Sequence, residues 1–455
     1  MLVNAAASYS PDYQVIRFKS NFDVFSDPDN LRGFGTPHEV GFFVHEWIHF
    51  LHNVSTVHGI CAYSHLAVTW SNARTFFFED EGKIDAETAE QHRADMYKHL
   101  KFFRNARNAK LNDLADGLSR FDVVFVSCGV NTVLIGGDAK YKCSELVCEA
   151  EVKVGGEVFV KEVKIGCHEL VESVAFMLEE KYLSLNKEAP IPSKVDPYHL
   201  LRCLSSFMSP NISSETLLRC ALLSLQSIDP LESLPGLLVK AEAEAAKGGD
   251  PDVVISELAI SHLHLCQKML NETLDVIDGL FSVDEPMARA VKYSLGKMRS
   301  NYLYRMSDPF FEIGLIESFA KHGGAALGAA MEKFGVGFLI QERAGSRDKV
   351  ERDLMYDLSL DDVRDSDLSA GRRVAQAAFS YILQFFNEGS DVLAHPEKME
   401  CPFYTCCDAV FRKENPESCK EKPWVAQGLD LDSMCFFGRA VINTKGEARI
   451  DSLSK

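Results

Sequence analysis

Apolar positions near the start of the chain follow two different periods. Tyr13-Gln14-Val15-Ile16-Arg17-Phe18 alternates loosely, in the manner of a strand. After a loop rich in Asp, Pro and Gly, the tetrapeptide Thr36-Pro37-His38-Glu39 opens a helix. Thr36 can cap it, Pro37 suits the first turn, and Glu39 completes a capping box. This helix is expected to run to about Val57 and to stop near Gly59, a residue suited to the position just past a helix end. It is apolar nearly all round, with Val40, Phe42, Phe43, Val44, Trp47, Ile48, Phe50, Leu51 and Val54, and such a helix is buried. Two further helices are predicted over 62–78 and 86–107.

Beyond residue 120 the pattern changes. Phe121-Asp122-Val123-Val124-Phe125-Val126 and Thr132-Val133-Leu134-Ile135 are β-branched and strand-like. Glu151-Val152-Lys153-Val154 and Glu157-Val158-Phe159-Val160 flank Gly155-Gly156, which predicts a hairpin with a tight turn. From Gly166 onward the pattern is helical. It is broken by a linker at 190–197, a helix end and loop at 241–251, and a charged connection at 343–367. The prediction is an α+β protein, mainly helical, with a small and mostly antiparallel sheet in an N-terminal domain (1–190). An all-helical domain (191–395) and a cysteine-rich C-terminal segment (396–455) follow.

Composition alters this picture little: 46% hydrophobic and 25% charged residues are ordinary for a globular protein. The formal charge of −18 argues against a general nucleic-acid binder, because phosphate contacts need clustered Lys and Arg. No segment approaches the roughly 18 apolar residues of a membrane span, so no membrane partner is expected. The first twenty residues have neither the basic start nor the apolar core of a signal peptide. Thirteen cysteines in such a chain point to reduced thiols or metal ligands, and the expected location is cytoplasmic.

The chemistry lies in His45-Glu46-Trp47-Ile48-His49. Positions i and i+4 share a helix face, so His45 and His49 can offer imidazole nitrogens to one ion. Glu46 lies about 100° round the helix, beside the ion and not on it, where it can take a proton from an activated water. Charged residues on a buried helix are costly unless something compensates them. The competing reading is a core helix whose histidines bond to backbone. A third histidine ten residues after the first is missing: that position is Ser55, and His58 falls three residues late. His52 points past the ion, as a supporting or core histidine. Further on, Gly166 to Met177 reads as a helix carrying Glu172 inside an apolar run, with small residues Ser173 and Ala175 beside it. Glu172 is the leading third ligand, and His168, one turn earlier, is the alternative. Glu169 reads as a first-turn acid favoured by the helix dipole.

HExxH followed far downstream by a helical glutamate resembles the gluzincin branch of the zincin metallopeptidases. The resemblance covers roughly residues 36–58 and 165–183. It implies His45, His49 and Glu172 on zinc, Glu46 as general base, a zincin-like N-terminal domain, and a sheet edge that aligns an extended peptide. The family's well-known members carry an Asp four residues after the ligand glutamate to orient a histidine; here that position is Phe176, so the orienting group must come from elsewhere.

Two further groups are candidates. Tyr302, Tyr304 and Arg305 could stabilise charge in a transition state, against their plain reading as packing residues. Cys401, Cys406, Cys407 and Cys419 approach structural-zinc spacing, with His395 as a further ligand. The alternatives are an iron–sulfur cluster or cysteines that simply pack. The expected function is a zinc-dependent peptidase acting on a protein or peptide. A catalytically silent, zinc-stabilised interaction protein and a zinc hydrolase of another amide or ester are the alternatives.

Overall fold

The computed structural model describes residues 6–12, 14–20, 22, 33–80, 85–135, 141–281, 285–343, 352–358, 366–386, 398–430 and 433–445, with backbone alone at 75–80 and 366. Strands β1 (Ala7–Ser10) and β2 (Val15–Phe18) lead into helices α1 (Pro37–Ser55), α2 (Val57–Asp80) and α3 (Ala86–Arg107). Strands β3 (Val123–Leu134), β4 (Lys142–Val154) and β5 (Glu157–Ile165) follow, and then α4 (Cys167–Leu185). A helical run comes next: α5 (Leu200–Met208), α6 (Ser214–Ser224), α7 (Pro230–Ala246), α8 (Pro251–Phe281), α9 (Met287–Ser307), α10 (Phe311–His322) and α11 (Gly324–Phe334). Strands β6 (Phe338–Gln341) and β7 (Leu354–Asp357) precede α12 (Ser366–Phe385), α13 (Val410–Glu414), α14 (Pro416–Glu421) and α15 (Phe436–Lys445). The protein is α+β and mainly helical, as its patterning predicts.

The β3–β4–β5 sheet is antiparallel, and its second hairpin turns where the glycine pair requires it. Gly155 and Gly156 have φ of 60° and 94°, and Val154 pairs with Glu157 across them. The other sheet has the order β1-β2-β6-β7; β2 and β6 run parallel, and the outer pairs antiparallel. Here the structure departs from expectation. β6 and β7 fall in the stretch predicted to be helical throughout, and β7 lies inside the supposed charged connection. Phe338-Leu339-Ile340-Gln341 is a short run buried at every position, and its parallel partner is Val15–Phe18, more than three hundred residues away. No local pattern announces such a pairing. One hydrophobic cluster extends from Ala6 to Val441 and draws on all three predicted segments. Among the described residues no helix is long and apolar enough to cross a membrane.

Helix α1 begins as its sequence dictates: Glu39 N–H donates to Thr36 Oγ1 and Thr36 N–H to the Glu39 carboxylate, both at 3.2 Å. Its end differs from expectation. The helix stops at Ser55 because Thr56 is extended (φ −104°, ψ 155°), and α2 starts at the next residue. The Thr56 hydroxyl donates to His52 O at 2.7 Å and accepts from Gly59 N–H at 3.0 Å, so one side chain closes α1 and caps α2. Gly59 is therefore not past a helix end but in the first turn of α2, pressed against the last turn of α1. A Cβ there would lie 2.5 Å from Asn53 Cα and would also collide with His52 O, both backbone atoms with no rotamer to yield.

Replacing Gly59 by Ala is expected to destabilise the protein by about 3 kcal/mol, the upper end for overpacking. The urea midpoint should drop accordingly, and an unchanged midpoint would show that the two helices have room to separate.

Candidate metal centre

Helices α1 and α4 pack side by side, with Gly41 of α1 facing Glu179 and Leu183 of α4. Across this contact His45 and His49, one turn apart on α1, face Glu172 of α4. Glu172 Oε2 is 3.2 Å from His45 Nε2, and Glu172 Oε1 is 3.4 Å from His49 Nε2. One ligand atom from each residue fits within 4.8 Å of the others. Glu172, His45 and His49 are thus brought together as predicted; His168 lines the adjoining cavity but is not in this group.

The set fits a metal on two counts. Two imidazole nitrogens and one carboxylate oxygen form a ligand group suited to zinc with one coordination position left open. His49 Nε2 is also buried, and its nearest polar atom, Glu172 Oε1 at 3.4 Å, is too far for a strong hydrogen bond. A buried imidazole nitrogen so weakly paired is expensive, and a cation between it and Glu172 would resolve the cost.

The orienting carboxylate absent at Phe176 is supplied by Glu179. Its Oε2 lies 2.9 Å from His45 Nδ1, the nitrogen facing away from Glu172. Sequence reading missed it, although Glu179 stands seven residues after Glu172, two turns on along the same helix face. Burial favours the neutral form of His45, but hydrogen bonds to Glu172 and Glu179 outweigh it and raise its pKa well above the ordinary imidazole value. Burial would likewise keep Glu172 protonated, yet His49 and His45 hold its carboxyl well below the usual range. Glu46 is buried beside them. Burial, with Glu172 and Glu179 adding to it, pushes its carboxyl up to about 8 against the opposing charge of His45 and a backbone hydrogen bond from Tyr9.

A cavity of about 170 Å³ opens beside His49 and Glu172, lined also by Tyr9, Asn53, Arg107 and His168. Asn53 Nδ2 donates to the Tyr9 hydroxyl at 3.0 Å, and the Tyr9 ring stacks on His49 with centroids 6.3 Å apart. Arg107 brings positive charge to the wall, and its Nε has no hydrogen-bond partner. Tyr198 directly follows the 190–197 stretch read as a linker; Ser173 Oγ on α4 donates to Pro197 O at 2.8 Å and fixes this turn. The Tyr198 ring is 5.9 Å from His45 and rests on Phe176 at 5.2 Å. Burial, together with the charges of Glu172, Glu46 and Glu179, raises its phenol pKa, so it stays a proton donor.

The other candidates are placed elsewhere. Tyr302 donates its hydroxyl to Leu263 O at 2.6 Å, and Tyr304 is wedged between Phe311 and Phe334. Arg305 is buried and bound to Glu312, Pro309 O and Ser55. All three sit on α9, which packs against the far end of α1, so none reaches the His45–Glu172 group. His52 turns toward this same end, as expected of a residue pointing past the ion; its Nε2 is 3.6 Å from Glu312 Oε1, and burial pushes its pKa well below the ordinary value. Glu169 accepts from the N–H groups of Gly166 and Lys110, both at 2.7 Å, the first-turn role expected of it. Of the predicted cysteine group, Cys401, Cys407 and Cys419 line one pocket, whereas Cys406 packs instead against the Val15–Phe338 cluster. His395 lies outside the described residues.

No family model, curated protein or solved structure matches the chain. The gluzincin resemblance therefore rests on the residues of this centre alone.

Replacing Glu179 by Ala should weaken metal binding at this group by about 10- to 100-fold, as loss of a carboxylate behind a ligand histidine does elsewhere. Glu179→Gln, which keeps an acceptor for His45 Nδ1, should fall between. Competition titration with a chromophoric chelator measures both, and wild-type affinity in the Ala variant would remove Glu179 from the site.

Proposed function

We propose that the chain is a zinc-dependent hydrolase that cleaves peptide bonds, with Glu46 as its general base. The observation that carries this reading is the convergence of His45, His49 and Glu172 beside the buried carboxylate of Glu46. Zinc bound by these three residues would supply a Lewis acid that makes water a competent nucleophile near neutral pH. Glu46 would accept the proton released by that water and return it to the departing amine, a role that its place one residue after His45, buried beside Glu172, allows. Glu179 holds His45 in one ring orientation, leaving Nε2 free for ligation. Tyr198, a phenol near His45, is the best-placed donor for charge developing on a substrate oxygen.

Among the described residues three protein ligands converge and no fourth does, which favours a catalytic over a purely structural ion. The choice of a peptide rests on the gluzincin resemblance and on one feature of the sheet. β1 is its outer strand, and Tyr9 within β1 touches both His49 and Glu46. An extended chain laid along β1 would pass this centre.

Replacing Glu46 by Gln should lower kcat by about 10²- to 10⁴-fold while zinc content stays at the wild-type level. A peptide library resolved by mass spectrometry serves as the substrate, with amide and ester panels beside it. Undiminished turnover in Glu46→Gln sinks the mechanism, whereas activity confined to the ester panel sinks only the peptide assignment. Tyr198→Phe should reduce kcat by about 10²-fold with little change in KM if its hydroxyl supports the transition state; an equal kcat removes it from that role.

A further inference from the structure

The C-terminal segment brings four cysteines to one place that sequence spacing alone grouped differently. Cys401, Cys407, Cys419 and Cys435 all line a single small pocket, closed by Phe403, Phe411 and Phe437. The void between them is about 10 Å³, room for one small atom and for no organic ligand. All four are free thiols, and they come from separate pieces of chain: the loop before α13, α14, and the residue preceding α15. Cys406, adjacent in sequence to Cys407, faces the opposite way and donates to Phe403 O at 3.5 Å.

We propose that Cys401, Cys407, Cys419 and Cys435 form a second, structural metal site that takes zinc through four thiolates. Backbone amides are already aimed at the sulfurs. Ala409 N–H donates to Cys407 Sγ at 3.4 Å and Gly438 N–H to Cys435 Sγ at 3.5 Å, and the Phe403 amide serves Cys401 in the same way. Amides two or three residues beyond a cysteine lower the cost of its thiolate form, which packing cysteines do not need. Arg412, on the wall of the same pocket, adds a cation to offset the net negative charge of a four-thiolate zinc centre. Burial pushes the Cys419 thiol up to about 12, so the pocket is costly for thiolates until a cation joins them.

Local packing gives the segment a reason to need such a tie. α13 and α14 have five and six residues, and the cluster beneath them has Phe411, Cys419 and Ala426 buried, with Tyr404, Leu429 and Cys435 packed against it. Short helices over so small a core gain much from a metal cross-link. Among the described residues only His45, His49 and Glu172 hold ligand atoms mutually within 4.8 Å, so the thiols must rotate inward to bind. In doing so they exchange four S–H bonds for four Zn–S bonds and release four protons to solvent, with no change of oxidation state.

The site is independent of the one on α1 and α4, and the experiment keeps them apart. The full-length His45→Ala/His49→Ala variant, which lacks the first site, should retain one equivalent of zinc and release it to a thiol-modifying mercurial. Reconstituted with cobalt, the same variant should show the intense visible bands and near-ultraviolet thiolate charge transfer of a tetrahedral four-sulfur centre. Cys435→Ser added to it should abolish those bands, and Cys406→Ser should leave them intact. Should Cys435→Ser not fold, the mercurial release and the cobalt spectrum of the parent variant decide the matter. Absence of zinc from that variant, a cobalt spectrum without thiolate bands, or an iron–sulfur chromophore on these thiols each overturns the proposal.

Discussion

Everything about the centre follows from one electrostatic constraint: carboxylates are buried where α1 meets α4. Glu46, Glu172 and Glu179 are packed there around His45, which hydrogen-bonds to two of them, with His49 facing Glu172 beside it. Concentrated negative charge in a low-dielectric contact is unfavourable unless positive charge joins it, and the pKa directions record that strain. His45 is drawn toward its protonated form, while Glu46 is driven toward its neutral one. A proton on His45 compensates part of the charge; a divalent cation held by His45, His49 and Glu172 would compensate more, and it would pair the otherwise weakly paired His49 Nε2 as well.

The rest of the fold holds α1 still while this charge is placed on it. Contacts from the Gly335 carbonyl, from β1 and from α9 grip the helix at points that leave His45 and His49 turned to α4. Trp47 Nε1 donates to Gly335 O at 3.0 Å, and the Asn53–Tyr9 bond ties β1 to the final turns. The last carbonyls of α1, which lack partners within the helix, are satisfied from α9: Asn301 donates to Val54 O at 3.4 Å and Arg305 to Ser55 O at 2.9 Å. A guanidinium at the negative end of a helix is favourable, and Glu312 balances the remaining charge. Arg305 is thus a clamp on the helix that carries His45 and His49. Its sequence neighbourhood, two tyrosines and an arginine, is chemically what an active site would use, and only the three-dimensional arrangement separates the two readings.

This difference explains what was legible in the sequence. The first four features of the centre are local: the Thr36–Glu39 box, the HExxH spacing, the apolar girth of α1, and a carboxylate in an apolar helical run at Glu172. Each is encoded within a few residues, and the structure assembles them as read. What escaped is set by contacts distant in sequence. β6 joins β2 across more than three hundred positions, Tyr198 reaches His45 only because Ser173 pins Pro197, and Cys435 rather than Cys406 faces Cys407 because of how the segment folds back. The end of α1 was misjudged for a related reason. Gly59 carries the composition of a terminator, but it is a glycine because another helix turn presses on it, and Thr56 is what ends the helix.

Glu179 shows most clearly what physical requirement lies beneath a motif. The familiar arrangement places the orienting carboxylate four residues after the ligand glutamate, a position that Phe176 holds here. Phe176 is instead occupied in packing Tyr198 and His199, at 5.2 and 5.1 Å, and could not serve both purposes. Moving the carboxylate one turn further, to Glu179, keeps it on the face of α4 that meets α1. It also carries it past the level of Glu172 to the other side of the His45 ring, where only Nδ1 can be reached. The two glutamates therefore divide the imidazole between them, one nitrogen each. An orienting carboxylate is required only to hold Nδ1 while Nε2 faces His49 and Glu172, and this constrains where Glu179 stands in space, not the number of residues between it and Glu172.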